Sequence, residues 1–128
     1  MSSVHRRRRA IRVHHLALRV ADPLRSCDFY RGLGLTELRR FSDGASVRSI
    51  WLWAGDVILM LERRLRGGRG GRGSGHLLAF AVHDLARWER RLARLDVAIL
   101  DRTDYTLYFR DPDGHRVGLT VFPLDPPP

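Results

Sequence analysis

The chain has 128 residues, and 44% of them are hydrophobic, which is enough for one folded domain with a core. No apolar run approaches the roughly 20 residues of a membrane-spanning helix, so no such helix is expected. The single cysteine, Cys27, excludes an internal disulfide. Together with the lack of an apolar stretch after the basic residues 1–10, it favours a cytoplasmic protein.

Two short segments carry the net charge of +9. All 23 basic side chains are arginines, with five in residues 5–12 and five in residues 63–72, so the other 13 arginines face 14 acidic residues. Such segments can bind the phosphates of RNA or DNA with an affinity that falls steeply with salt. Nucleic-acid segments of this kind usually interleave aromatic residues, and 63–72 has none. Nucleic-acid binding is therefore the least favoured function.

The first half of the chain predicts a strand, a helix and three more strands. Residues 1–12 are expected to form a disordered, arginine-rich arm, and a strand follows over 13–20. Asp22 as N-cap and Pro23 in the first turn predict the helix. Apolar runs between turn signals predict the other strands, over 36–41, 47–53 and 57–64.

A Gly- and Arg-rich connector over 66–75 leads into a second half with the same plan. His83 and Asp84 start its helix, and a proline tail over 124–128 ends the chain. Its strands are expected over 76–82, 97–100, 105–110 and 115–122. The openings HLALRVAD and LLAFAVHD also share alanine, valine and aspartate at matching places. The sequence therefore predicts an α+β fold of two βαβββ modules (13–65 and 76–123), each a mixed sheet with one helix, paired to form a cup.

Strand alternation sorts the side chains of the first module into two faces. His15 and Arg19 lie on one face of the first strand, and Leu16 is left to pack under the helix. Trp51 and Trp53 also share a face. If the aliphatic residues between them pack under the helix, both indoles face the cup and can stack on a flat ligand. The alternative is ordinary core packing, and alternation alone does not decide between the two.

The two βαβββ halves, the opening HHLALRVADPLRSCDFYRGLGL and the closing YFRDPDGHRVGLTVF resemble the vicinal oxygen chelate superfamily. That group includes glyoxalase I, extradiol dioxygenases, fosfomycin resistance proteins and bleomycin resistance proteins. The resemblance covers residues 13–123 as a single glyoxalase/bleomycin-resistance-like domain. It implies a small-molecule ligand in the cup and, because members often pair, a homodimer. In enzymatic members a divalent metal is held by the first and last strands of each module.

The resemblance assigns four places to metal ligands, and three of them lack a donor suited to a divalent metal. His15 matches the first place; the alternative is a plain hydrogen-bonded histidine at the sheet surface. Met60 stands where a glutamate is usual, Leu77 where a histidine is usual, and Gly118 where a second glutamate is usual. Glycine is a poor strand residue, and here it leaves room that a bulky ligand could use.

A rearranged metal site is the alternative. His15, Glu62 and His76 would suit zinc, nickel, manganese or iron. This set requires a β-bulge that turns His76 inward and a long reach from Glu62. Otherwise Glu62 pairs with nearby arginines and His76 lies at the junction of loop and strand.

We therefore expect a protein that binds a small organic molecule without a metal. Its site would use the two tryptophans, Met60, Leu77 and Gly118, with His15 and Arg19 orienting polar groups of the ligand. The sequence does not decide between binding and catalysis. The enzyme alternative is a divalent-metal-dependent lyase, isomerase or dioxygenase, in which the metal polarises vicinal oxygens of the substrate. A metal-free enzyme with His15 as acid–base group also stays open.

Overall fold

The computed structural model describes residues 11–64 and 76–123. The chain divides into two compact units, one up to residue 68 and one from residue 69 on. Each unit has the element order β-α-β-β-β, which confirms the prediction of two βαβββ modules in an α+β fold. The expected connector and proline tail, and the expected arm except for its last two residues, lie outside the described residues. The cup between the modules stays a prediction.

The first module consists of β1 (His15–Val20), α1 (Pro23–Gly32), β2 (Thr36–Asp43), β3 (Ser46–Ala54) and β4 (Val57–Arg63). Its sheet has the strand order β1-β4-β3-β2. β1 runs parallel to β4, and the other neighbours are antiparallel. β1 and β2 are therefore the edge strands, and β1 begins two residues later than the alternation suggested.

The helix α1 forms where the capping residues predict it. The Asp22 carboxylate accepts a hydrogen bond from the Leu24 backbone N–H at 3.0 Å, and Pro23 occupies the first helical position. Satisfying an otherwise unpaired N–H at this end stabilises the helix by about 1 kcal/mol. The helix packs against β2, β3 and β4 and buries Cys27 and Tyr30.

The core of the first module lies between α1 and the middle of the sheet. Cross-strand pairing sets Ile50 opposite Leu61 and Leu52 opposite Leu59, and all four side chains are almost fully buried. Each such burial contributes about 1.5–3 kcal/mol. Leu16, which was expected to pack under the helix, is 45% exposed because it lies on an edge strand beside those that α1 covers.

The second module consists of β5 (Leu77–Ala81), α2 (Leu85–Arg94), β6 (Asp101–Arg102), β7 (Thr106–Arg110) and β8 (Arg116–Thr120). Its sheet has the order β5-β8-β7-β6, again with the first strand parallel to the last. The core lies on the α2 side, and its largest fully buried side chains are Leu92, Leu107, Phe109, Val117 and Leu119. Neither α1 nor α2, the helices of the described residues, is long and apolar enough to cross a membrane.

One predicted strand of this module is wrong. Residues 97–100 form no strand, and the two-residue β6 follows them. Asp96 adopts φ 60° just after α2, and the chain approaches β7 only when the Leu100 N–H donates to the Tyr108 carbonyl at 2.8 Å. The apolar residues of this segment give a strand-like sequence pattern, but most of the segment makes no ladder hydrogen bonds.

Candidate functional site

The face of the first sheet opposite α1, which we call the open face, carries six of the predicted site residues. Register places nine side chains of β1, β3 and β4 on it in three rows: His15–Ile58–Trp53, Ala17–Met60–Trp51 and Arg19–Glu62–Ser49. Both indoles therefore lie on the face of His15 and Arg19, a question that alternation alone left undecided. Met60 lies in the middle row, between Ala17 and Trp51.

Trp51 is held in a fixed orientation on this face. Its indole N–H donates to the Ser49 hydroxyl at 3.1 Å, and Ser49 is buried. The Phe41 ring lies 5.2 Å from the indole, and the Arg39 guanidinium lies 5.8 Å from the ring centroid. Because the hydrogen bond and the ring contact restrict its rotamers, Trp51 forms a flat, preorganised wall. Trp53, in the neighbouring row, is 39% exposed.

A cavity of about 470 Å³ opens beside Trp51 at the end of the open face where β1 finishes. Its volume falls within the range of small-molecule sites. Three arginine side chains and one carboxylate surround it, so the lining has an excess of positive charge. The lining residues are Arg19, Phe41, Arg48, Ser49, Trp51, Glu62 and Arg63.

His15 lies in the row at the other end of the open face and contacts its neighbour in sequence. Its Nδ1 is 2.9 Å from the Nδ1 of His14, and the two rings are nearly perpendicular, with centroids 5.2 Å apart. One ring must donate and the other accept in this contact, so the tautomers are linked. The Nε2 atom of His15 then stays available for a ligand.

His15 and Glu62 are the two members of the predicted metal set that lie on the open face. Glu62 is four ladder positions from the pair of His15 and Ile58, about 13 Å along the strands, so the two residues are not neighbours on this face. His76 precedes the β5–β8 ladder, which begins at Leu77 and continues without a register shift. His76 itself lies outside the ladder, so the bulge that the predicted set of three required stays a prediction. Among residues 11–64 and 76–123, no group of three His, Cys, Asp or Glu could hold a metal.

Leu77 and Gly118, the remaining predicted residues, lie on the face of the second sheet opposite α2. Gly118 pairs with Ala79 and Tyr108, and Leu77 pairs with Arg116. A Cβ atom on Gly118 would meet a Thr106 methyl at 3.4 Å, Leu77 Cδ1 at 3.5 Å and Tyr108 Cδ1 at 3.6 Å. These are ordinary contact distances, so a methyl group fits at this position, and the expectation that the glycine leaves room for a bulky ligand stays a prediction.

Alternation along the strands missed three residues that line the cavity. Phe41 was missed because β2 shifts register between Glu37 and Arg39 and again after Phe41, so its faces cannot be counted from the sequence. Arg48 and Arg63 have the opposite parity to Trp51 and Glu62, and they border the cavity from the end of the sheet. Their length and their position near strand ends were the signals that could have identified them.

Cys27 has no part in the site. Burial, together with the nearby Glu37 carboxylate, raises the pKa of its thiol to about 11. The thiol contacts Glu37 Oε1 at 3.6 Å, and Arg40 donates to the same carboxylate at 2.6 Å, which lowers the pKa of Glu37. A thiol with so high a pKa is a poor nucleophile.

Solved structures with the same fold include enzymes and resistance proteins. The fosfomycin resistance protein FosX from Mesorhizobium loti is 21% identical, with a TM-score of 0.71 over 88% of this chain and 93% of that chain. Lactoylglutathione lyase from Agrobacterium tumefaciens is 20% identical, with a TM-score of 0.67 over 85% of this chain and 92% of that one.

A mutant of FosX from Listeria monocytogenes, complexed with Mn(II) and 1S,2S-dihydroxypropylphosphonic acid, is 17% identical. Its TM-score is 0.76 over 88% of this chain and 94% of that one. No curated protein sequence matches the chain. The model of the Glyoxalase/Bleomycin resistance protein/Dioxygenase superfamily matches residues 12–119. The chain therefore belongs to the glyoxalase/bleomycin resistance protein/dioxygenase superfamily.

Proposed function

We propose that this protein binds a small organic molecule on the open face of its first module, without a metal ion. The observation that carries the proposal is the cavity of about 470 Å³ beside the fixed indole of Trp51. Stacking on Trp51 and contact with Met60 would supply most of the affinity through apolar burial. Met60 is flexible and polarisable, so it can adapt to the shape of the ligand. His15 and Arg19 would orient polar groups.

The donor chemistry of the open face supports binding without a metal. The resemblance assigns two metal-ligand positions to this module. His15 offers a nitrogen donor at the first, but Met60 offers only a thioether at the second. Thioether sulfur is a weak ligand for manganese, zinc or nickel. The only carboxylate of the three rows, Glu62, belongs to the row of Arg19 and lies far from His15.

Nuclear magnetic resonance of the indole N–H groups tests the proposal directly. The three tryptophans give three indole signals in a ¹⁵N-labelled protein, and Trp51→Phe assigns one of them. We would add three matched flat probes: 2-naphthoate, its neutral amide 2-naphthamide, and the cation 2-naphthylmethylammonium. A saturable shift of the Trp51 signal with at least one probe supports the proposal. Shifts of equal size at all three indoles, or none with any probe, contradict it.

The second candidate is a divalent-metal-dependent lyase, isomerase or dioxygenase. It is favoured by family membership and by His15, which lies exposed on the open face. Tag-free protein should be isolated without chelator, offered manganese, iron, nickel and zinc, and measured by elemental analysis. About one metal per chain, lost in His15→Ala, would support this candidate. Less than about a tenth of an equivalent supports metal-free binding.

Three further expectations accompany the proposal. We propose a homodimer, which is supported by the exposure of Leu16 on the edge strand β1 and is tested by sedimentation. A cytoplasmic location stays a prediction. Nucleic-acid binding rests on segments that lie mostly outside the described residues, and it also stays a prediction.

A further inference from the structure

The cavity beside Trp51 carries an excess of positive charge. Arg19, Arg48 and Arg63 line it, against the single carboxylate of Glu62. Within residues 11–64 and 76–123, no ion pair or side-chain hydrogen bond engages Arg48 or Arg63. Guanidinium groups held near one another repel, and an anion placed between them relieves that repulsion. The charge of the cavity therefore favours an anionic occupant.

The aromatic wall lies at the same cavity as the arginines. Trp51 and Phe41 both line it, and the hydrogen bond from the indole to Ser49 fixes the wall before any ligand arrives. A ligand that stacks on Trp51 thus places a substituent among the guanidinium groups. Guanidinium groups are planar, and they pair with carboxylate, sulfonate or phosphate oxygens through two parallel hydrogen bonds.

Two other concave surfaces of the described residues differ from this cavity. A depression of about 740 Å³ at the end of α1 is lined by Arg31, Asp28 and Glu37, and Glu37 is already paired with Arg40. A cavity of about 370 Å³ along α2 is also basic and is lined by one tryptophan, Trp88, with the Arg91 guanidinium 4.9 Å from its ring centroid. The cavity beside Trp51 differs from both in placing two aromatic side chains, Trp51 and Phe41, beside Arg48 and Arg63.

We propose that the ligand of the open face is a planar aromatic anion, with its ring on Trp51 and its carboxylate, sulfonate or phosphate group between Arg48, Arg63 and Arg19. This inference rests on the proposed function and specifies its ligand class. It assigns a role to Arg48 and Arg63, which neither the resemblance nor strand alternation had identified as site residues. Glu62 opposes a second negative charge, so a ligand with one anionic group is favoured.

The test compares 2-naphthoate with 2-naphthamide, which has nearly the same shape and no charge, by the Trp51 indole signal. We expect 2-naphthoate to bind at least about tenfold more tightly in 50 mM salt, with the preference shrinking in 0.5 M salt. Arg48→Gln and Arg63→Gln should each weaken 2-naphthoate about three- to tenfold and leave 2-naphthamide within about twofold. Arg31→Gln, which removes the same charge from α1 of the same module, is the matched control and should change neither.

The outcomes separate this inference from the proposed function. Equal affinity for the two probes, or tighter binding of the amide, overturns the anionic ligand and leaves small-molecule binding intact. If Arg31→Gln weakens 2-naphthoate as much as Arg48→Gln does, the preference comes from overall charge, which also overturns the assignment of the cavity. If none of the three naphthyl probes shifts the Trp51 signal, the proposed function fails and this inference fails with it. Thermal unfolding of each variant confirms that it is folded.

Discussion

Replacing Gly118 by alanine should stabilise the protein, although this glycine is buried in a strand. The added Cβ meets its nearest neighbours at 3.4–3.6 Å, which are ordinary contact distances, and the backbone of Gly118 is not in the left-handed region. Alanine restricts the unfolded chain and suits a strand better than glycine, so we expect a gain of about 0.5–1 kcal/mol. Urea denaturation at 25 °C measures the change as a higher midpoint with an unchanged slope.

Gly114→Ala is the matched control for this prediction. Nothing lies within 4 Å of the place of its Cβ, but its φ of 85° is strained for alanine, so this change should destabilise by about 1 kcal/mol. Gly118→Glu, which restores the family carboxylate, should cost more than about 1 kcal/mol because Leu77 and Tyr108 occupy the space it needs. A destabilising Gly118→Ala, or a neutral Gly118→Glu, would refute the packing described around this position.

Three predictions concern groups outside the site. Because burial raises the pKa of Cys27 to about 11, Ellman's reagent at pH 8 should react with it on the order of 100-fold more slowly than with a free cysteine, and unfolding in urea should remove the difference. Asp84→Ala removes the acceptor for the Arg87 backbone N–H and should cost about 1 kcal/mol in thermal unfolding, whereas Asp84→Asn should retain most of the stability. Arg40 lowers the pKa of Glu37, so their ion pair adds stability above the unfolded pKa of the carboxylate and loses it as the pH falls through the lowered folded value. The pair is partly exposed, so its contribution is small. In urea denaturation, Glu37→Gln should reduce the change in unfolding free energy between pH 7 and pH 3 by less than about 0.5 kcal/mol.

The sequence predicted the elements well where local chemistry dominates. Asp22 and Pro23 identify the start of α1, because capping depends only on neighbouring residues. Alternation showed that Trp51 and Trp53 share a face but did not decide which one. The register of β3 and β4, which pair without a shift, decides it. The strand expected over 97–100 failed, because apolar residues after the turn at Asp96 imitate a strand without a ladder partner.

The site was predictable only in part. Alternation placed His15 and Arg19 on one face, which the regular pairing of β1 with β4 preserves, whereas Met60 was identified through the resemblance. Phe41 lies in β2 between two register shifts, and Arg48 and Arg63 reach the cavity from the end of the sheet. The positions of these three side chains therefore depend on tertiary structure.

Metal-free binding on the open face is tested most directly by isothermal titration calorimetry of 2-naphthoate against tag-free protein. One titration contains EDTA, and a second follows the addition of Mn(II). We predict saturable binding at about one site per chain in both, with dissociation constants that agree within about twofold. Heat of binding that appears only after Mn(II) is added would contradict the proposal and would support His15 as a metal ligand.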